Sequence, residues 1–291
     1  MKLELSSPCK VNLLLNILGR RADGFHELET LMHPIPLCDH ITLEPAAQDV
    51  SLTCNHPGLP TDATNLVHRA ATAFLTAAGL RSGVRLHLEK RVPMAAGLGG
   101  GSGNAATTLL GLNQLFGHPL SRERLAELAA GLGSDVPFFL QQCPALCTGR
   151  GERIESLAPF AGLRGLYMLL IHPGFGIATA WAYRELARHP EALNGHPGRA
   201  RELANLLAQG NLSAAMGALY NSLEAPAFRK YPVLELYQEF LRSEGALGTL
   251  MSGSGSTTFA FTRSQAEGER LAERFKSRFG GAVWIALVAL Q

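Results

Sequence analysis

The chain has 291 residues, enough for two domains at roughly 100–200 residues each. Apolar residues make up 46% and charged residues 17%, which supplies a sizeable core and excludes intrinsic disorder. Twenty-six basic against 24 acidic residues give a net charge of +2. That excludes a broadly polybasic nucleic-acid surface and leaves room for a local basic cleft at most.

In chain order, the N-terminal MKLELSSP lacks the apolar core of a signal peptide. Residues 2–6 and 10–18 read as strands, the second an apolar run, KVNLLLNIL. GRRADG (19–24) ends in an Asp-Gly turn signal, and FHELETLM returns, so 10–32 reads as a hairpin. HITLEP (40–45) and VRLHLEK (84–90) alternate like strands. Between them Asn65 is placed to cap a helix that buries Leu66, Ala70 and Phe74. A Gly-rich loop occupies 93–103, and helical spacing follows from Asn104 to Phe116. Ser121 caps a further helix that stops near Gly131, VPFFL (136–140) reads as a strand, and GRGERI (149–154) as a turn. After about residue 158 come a buried strand (166–173) and helical patterns near 179–188, 200–209, 211–219 and 232–242. A strand, a Gly turn and a strand fill 249–262, and a helix at 264–278 and a strand at 282–290 close the pattern. Antiparallel hairpins mixed with helices predict an α+β fold rather than a doubly wound sheet.

The uncharged stretch Pro93–Ser121 is broken by Gly, Pro, Asn and His, so it does not read as a membrane span. The five cysteines read as small buried thiols in a reducing compartment; Cys143 and Cys147 form a CxxxC with no second pair to complete a zinc site. A soluble cytoplasmic protein is expected.

The strongest chemical signal is PMAAGLGGGSGNAA, residues 93–106. Five glycines running into an apolar-faced helix let the backbone approach a ligand, and the helix N-terminus adds N–H groups and a positive dipole end. Together they suit phosphates. Ser102 adds a hydroxyl for phosphate or a bound magnesium. The loop is neither a P-loop, since no Lys follows the glycines, nor a dinucleotide fingerprint. A second turn, Ser252-Gly253-Ser254-Gly255-Ser256, is either a plain hairpin turn or a source of further backbone donors. Lys10, at the start of an apolar strand, and Asp135, in LGSDVPFF, are candidates for catalysis. Phosphoryl transfer to an alcohol needs a carboxylate to take the hydroxyl proton and an ammonium to screen charge. Asn12 and Asn16 share one strand face, and no histidine spacing suggests an imidazole metal site.

The KVNL strand, the PMAAGLGGGSGNAA loop and the MSGSGST turn, in that order and separation, together resemble the GHMP kinase superfamily. SPCKVNLLLNILGRRADGFHELETLM, LGSDVPFFL, GRGERI and IHPGFGIATAWAY sharpen the resemblance to the branch that acts on a cytidine diphosphate conjugate of methylerythritol. The resemblance implies a two-domain α+β fold with the active cleft between an N-terminal ATP-binding half (1–158) and a ferredoxin-like C-terminal half (159–291). It implies ATP with Mg2+, phosphorylation of the conjugate's 2-hydroxyl in the non-mevalonate isoprenoid pathway, and no nucleic-acid or membrane partner. A monomer or weak homodimer is expected, and the magnesium ligands stay unassigned. By motif, Lys10 and Asp135 match the catalytic positions. Pro93, Met94, Ala95, Ala96, Gly97, Leu98, Gly99, Gly100, Gly101, Ser102 and Gly103 match the ATP phosphate loop, with Asn65 near the nucleotide. Asn12, Phe25, His26, Thr179 and Tyr183 match the substrate pocket, His26 reading the cytosine edge and the aromatic rings packing on the base. Phe25 stands where Tyr is common in the family, and Gly103 where a second Ser is common.

Two other readings fit part of the pattern. Another GHMP kinase acting on homoserine or mevalonate would share the loops but would not need the Phe25-His26 segment. A non-catalytic nucleotide- or RNA-binding module would share the fold of the N-terminal half, against which stands the near-neutral charge.

Overall fold

The computed structural model describes residues 2–193 and 196–290. In chain order come β1 (Leu3–Arg20), β2 (His26–Ala46), β3 (Val50–Cys54), α1 (Leu66–Ala77), β4 (Gly83–Glu89), α2 (Gly100–Leu115) and α3 (Arg122–Leu132). A 3-10 turn at Pro137–Leu140 precedes β5 (Ala145–Gly149), β6 (Arg153–Ser156), β7 (Tyr167–His172), α4 (Thr179–Leu186), α5 (Arg199–Ala208) and α6 (Leu212–Gly217). The remainder is β8 (Tyr220–Asn221), α7 (Glu224–Lys230), α8 (Val233–Ser243), β9 (Thr249–Met251), β10 (Thr258–Thr262), α9 (Gln265–Phe279) and β11 (Trp284–Ala289).

These elements pack into two compact units that interleave along the chain. The first unit holds the residues up to Cys9, Leu37–Met94 and Gly99–Gln142; the second holds Lys10–Pro36, Ala95–Leu98 and the described residues from Cys143 onward. Strands β1 and β2 each contribute to both.

In the first unit β3 lies parallel to β4, from Val50↔Val84 to Cys54↔Leu88, and β4 runs antiparallel to the late part of β2, from His40↔Glu89 to Ala46↔Gly83. Period-2 alternation buries Val84, Leu86 and Leu88 with Ile41 and Leu43, while Arg85 and His87 face solvent. Helix α2 lies directly on this apolar face. A β-carbon on Gly103 would fall 2.3 Å from the Pro8 carbonyl oxygen, and one on Gly111 would fall 2.4 Å from Leu5. Only glycine permits that approach.

In the second unit the later part of β1, from Lys10 onward, pairs in parallel with β8 (Leu14↔Tyr220, Leu15↔Asn221). The early part of β2 pairs antiparallel with β5, from Leu28↔Gly149 to Met32↔Ala145, and β5 continues into the β6 hairpin. A separate antiparallel sheet has the order β11-β7-β10-β9. Counted as β7, α8, β9, β10, α9, β11, this is a βαββαβ unit with spatial order fourth-first-third-second, the ferredoxin-like arrangement expected. Its core joins Leu169, Ile171 and Ala260 of the sheet to Leu234, Tyr237 and Leu241 of α8 and Leu271 and Phe275 of α9.

Several sequence expectations change in detail. VPFFL is not a strand: Pro137 offers no N–H to a ladder, and a 3-10 turn buries Phe138 and Phe139 instead. Helix α2 begins at Gly100 rather than Asn104, because close packing on β1 outweighs the low helix propensity of glycine. The two strands read at 2–6 and 10–18 are one, β1, and β2 runs unbroken past residue 32 to Ala46. Strands β3 and β8 and helix α7 were not anticipated. Among the described residues no helix is long and apolar enough to cross a membrane, and all five cysteines are free thiols.

Candidate active site

Lys10, Asn12, Phe25, His26, Thr179 and Tyr183 all belong to the second unit. Lys10 is 3% exposed on β1. Its Nζ donates to Asn12 Oδ1 at 2.5 Å and lies 3.5 Å from the Gly97 carbonyl oxygen. The Lys10 main-chain N–H donates to Leu98 O at 2.9 Å, which ties the loop residues Ala95–Leu98 to β1. Asn12 Nδ2 donates to Thr30 Oγ1 at 2.8 Å, and the Asn12 N–H donates to Ser252 Oγ at 3.2 Å. The Ser252 hydroxyl in turn donates to Gly97 O at 2.9 Å.

The turn around Gly253 and Gly255 contacts the first Gly loop directly. It is buried, and it braces the first Gly loop: Thr257 N–H donates to Ala96 O at 3.1 Å, and a β-carbon on Gly97 would fall 2.0 Å from Ser252 O. Asn221 of β8 holds this turn by donating to Met251 O and Gly253 O at 2.7 and 2.8 Å.

From Asn12 a run of contacts leads to the aromatic residues. A β-carbon on Gly253 would stand 3.3 Å from Asn12 Oδ1. The hydroxyl of neighbouring Ser254 lies 3.0 Å from Thr179 Oγ1, the first residue of α4. Tyr183, one helical turn on, packs on His26 with ring centroids 5.1 Å apart. Burial, and secondarily the Arg20 charge, hold the His26 imidazole below its ordinary value. A neutral ring carries one donor and one acceptor, which suits reading a base edge.

Phe25 is 54% exposed, unusual for a large apolar side chain. The turn that carries it is fastened: Arg21 N–H donates to Phe25 O at 2.8 Å and Phe25 N–H to Asp23 Oδ1 at 3.1 Å. The Arg150 guanidinium of the GRGERI turn sits 4.8 Å from the ring centroid.

In the first unit, α2 is capped by Gly99 in the left-handed region (φ 66°), and no side chain caps this end. The Gly103 N–H donates to Gly99 O at 2.9 Å, so the residues ahead of it, Gly100–Ser102, are the ones whose main-chain N–H groups open the helix at its positive dipole end, as an anion site requires. The approach to it is anchored by Asp39, which is fully buried. Its carboxylate accepts from Lys90 Nζ, from the N–H groups of Arg91 and Val92 at 2.7 and 2.8 Å, and from Asn104 Nδ2 at 2.9 Å. One carboxylate thus ties the strand end before the loop to the helix after it, and the Lys90 ammonium would stand 3.1 Å from a β-carbon on Gly100. Asn65 is the N-cap of α1: its Oδ1 accepts from Val67 N–H at 2.8 Å and its Nδ2 donates to Pro60 O at 2.6 Å. Both ends of that side chain shape the chain before α1. Asp135 is half-buried between α3 and the 3-10 turn, where Val136 N–H donates to Gly133 O at 3.1 Å.

Sequence reasoning did not single out Thr30, Asp39 or Lys90. Each is a polar residue in an alternating strand or at its end, and its importance comes from partners distant in sequence. A buried-face position occupied by Asp39 or Thr30 was the available signal.

Two family descriptions match the chain: GHMP kinases N terminal domain over residues 65–142 and GHMP kinases C terminal over residues 191–281. A 4-diphosphocytidyl-2-C-methyl-D-erythritol kinase from Geobacter sp. (strain M21) is 39% identical over 290 residues, covering 97% of this chain and 98% of that relative. A crystal structure of 4-(cytidine 5'-diphospho)-2C-methyl-D-erythritol kinase superposes with a TM-score of 0.82 at 37% identity, covering 99% of this chain and 100% of the other. Homoserine kinase from Cytophaga hutchinsonii superposes with a TM-score of 0.76 at 19% identity, covering 99% of this chain and 95% of the other, which is a likeness of fold. The chain belongs to the GHMP kinase family and, within it, to the family of 4-diphosphocytidyl-2-C-methyl-D-erythritol kinases.

Proposed function

We propose that this chain transfers the γ-phosphoryl group of ATP to the 2-hydroxyl of 4-diphosphocytidyl-2-C-methyl-D-erythritol, giving ADP and the 2-phosphate of that conjugate. The observation that carries the choice of acceptor is the run of contacts from Lys10 and Asn12 through Ser254 and Thr179 to Tyr183 and His26. It links residues suited to an alcohol with residues suited to a nucleobase. A small acceptor such as homoserine or mevalonate has no base for His26 and Phe25 to hold.

Phosphoryl transfer passes through a loose transition state, so positioning and charge supply most of the catalysis. In this reading Asp135 accepts the hydroxyl proton, and the Lys10 ammonium, fixed by Asn12 and Gly97 O, stabilises the transferring charge. His26 reads the cytosine edge, with Phe25 and Tyr183 against the base. The ATP phosphates lie on the loop Pro93–Gly103 and the N–H groups that open α2, and Asn65 shapes the chain beside the nucleotide.

Among the described residues no group of three or more His, Cys, Asp or Glu side chains is arranged to hold a metal ion. Magnesium would enter as part of the MgATP substrate, most of its ligands being phosphate oxygens and water, with the Ser102 hydroxyl as a protein oxygen donor. Bound there, it supplies charge neutralisation of the phosphates. Cytoplasmic location fits the five free thiols, which suit a reducing compartment.

The test is an assay of ADP release with the cytidine conjugate, homoserine and mevalonate. Turnover is expected with the conjugate alone. Turnover with homoserine or mevalonate and none with the conjugate overturns the choice of acceptor. Asp135→Asn and Lys10→Ala are expected to fold normally and lose on the order of 10²–10⁴-fold in kcat. Wild-type turnover by Asp135→Asn removes that residue as the base.

A further inference from the structure

The geometry points to Thr30 as a positioning residue for phosphoryl transfer, acting through Asn12 on Lys10. The inference rests on the role proposed above for Lys10.

Thr30 lies on β2, in register with Cys147 of β5, and is 1% exposed. Its hydroxyl donates to the Leu14 carbonyl oxygen at 2.6 Å. A hydroxyl has a single proton, so with that proton committed Thr30 Oγ1 is only an acceptor toward its other neighbour. That neighbour is the Asn12 side chain, 2.8 Å away, which must present its NH₂ end. The opposite end of the same planar amide, Oδ1, is thereby directed at Lys10 Nζ, 2.5 Å off. An ammonium has three donors and no acceptor, so the amide oxygen is the end that suits it.

The Leu14 carbonyl thus sets the direction of the Thr30 hydroxyl, the hydroxyl sets the amide, and the amide sets the ammonium. The Asn12 backbone is itself held in place, its main-chain N–H donating to Ser252 Oγ. Asn12 is 2% exposed, so water does not readily replace a lost partner. With valine at position 30 the amide loses the acceptor that fixes its NH₂ end. A turned amide would set NH₂ against the ammonium and displace Lys10 from its place beside Gly97 O.

The experiment compares wild type, Thr30→Val, Thr30→Ser and Asn12→Ala, with the double variant Thr30→Val/Asn12→Ala, in steady-state assays with ATP and the cytidine conjugate. Melting temperatures are recorded alongside. Thr30→Val is expected to lose about tenfold or more in kcat with the KM for ATP within about twofold of wild type. Thr30→Ser, which restores the hydroxyl, is expected to return kcat to within about threefold of wild type. In the Asn12→Ala background Thr30→Val is expected to cost no further activity, because the amide it orients is gone. A kcat for folded Thr30→Val within about twofold of wild type overturns the inference, as does a loss that is fully additive with Asn12→Ala. Should Thr30→Val fail to fold, Thr30→Ala is read by the same criteria. A wild-type enzyme inactive on the conjugate counts against the proposed acceptor; an active one with an indifferent Thr30 counts against this inference alone.

Discussion

Phe25 and His26 show how much a single side chain reveals once its surroundings are known. An aromatic ring more than half exposed, on a turn fastened by one main-chain hydrogen bond and one to the Asp23 carboxylate, is what the proposed function sets against the base. His26 is held neutral by burial and by Arg20, below its ordinary value of 6.5. Protonation converts its one acceptor to a donor and so breaks the match to a base edge. The KM for the cytidine conjugate should therefore be flat from pH 8 down to 6.5 and rise below it, while the KM for ATP does not follow. His26→Ala should raise the conjugate KM by about tenfold or more and abolish that pH dependence. Steady-state assays across pH 5.5–8 check both. Lys10, Asp135 and the proposed pocket residues could be singled out as candidates because their flanking motifs are distinctive in one dimension. Thr30 and Asp39 were not, since an isolated polar residue in a strand acquires meaning only from partners brought in by folding.

At the scale of elements, α2 is the piece that the proposed function gives to the ATP phosphates, and Asp39 holds it. The buried carboxylate joins Lys90, two N–H groups of the loop approach and Asn104 of the helix. Lys90 and Asp39 side chains are 4% and 0% exposed. Asp39→Asn leaves the ammonium buried without a counter-ion, a loss of about 3–5 kcal/mol in such settings. Urea unfolding should show that loss, and the KM for ATP should rise in whatever fraction remains folded. A variant as stable as wild type would show that Lys90 finds another partner. The helix itself was legible from its apolar spacing, but its first turn was not. Glycine at 100, 101 and 103 argues against helix by propensity, and what requires it at 103 is the close contact with Pro8, which no local pattern encodes. The same holds for residues 136–140, where an apolar run fits a strand or a buried turn equally until Pro137 is seen to close the ladder.

For the whole molecule, two groups in the second unit work against each other as pH changes. His33 is buried beside Phe160, and burial pushes its imidazole down to about 4. The stability tied to its neutral form is complete above 6.5 and is lost as pH falls toward 4. Burial pushes the Glu224 carboxyl up to about 7, although Met251 N–H and Gln238 Nε2 donate to it. Its contribution is complete below 4.5 and is lost as pH rises through 7. Between pH 5 and 7 each is worth about 2 kcal/mol, in opposite directions. Relative to wild type, Glu224→Gln should gain about 2 kcal/mol more at pH 7 than at pH 5, and His33→Gln the reverse. Urea unfolding at the two pH values measures both differences.

The interleaving of the two units sets a timetable on the ribosome. Asn12 is translated 240 residues ahead of Ser252, which holds its main chain, and Leu14 likewise precedes its β8 neighbour Tyr220. Until those late residues emerge, one edge of an apolar strand carrying Val11, Leu13 and Leu15 stays uncovered, the kind of surface that holdase chaperones bind and that otherwise recruits other chains. A polypeptide released after α2 but before β8 would keep that glycine-rich helix yet leave that edge bare, so premature termination is expected to yield aggregate rather than a working fragment.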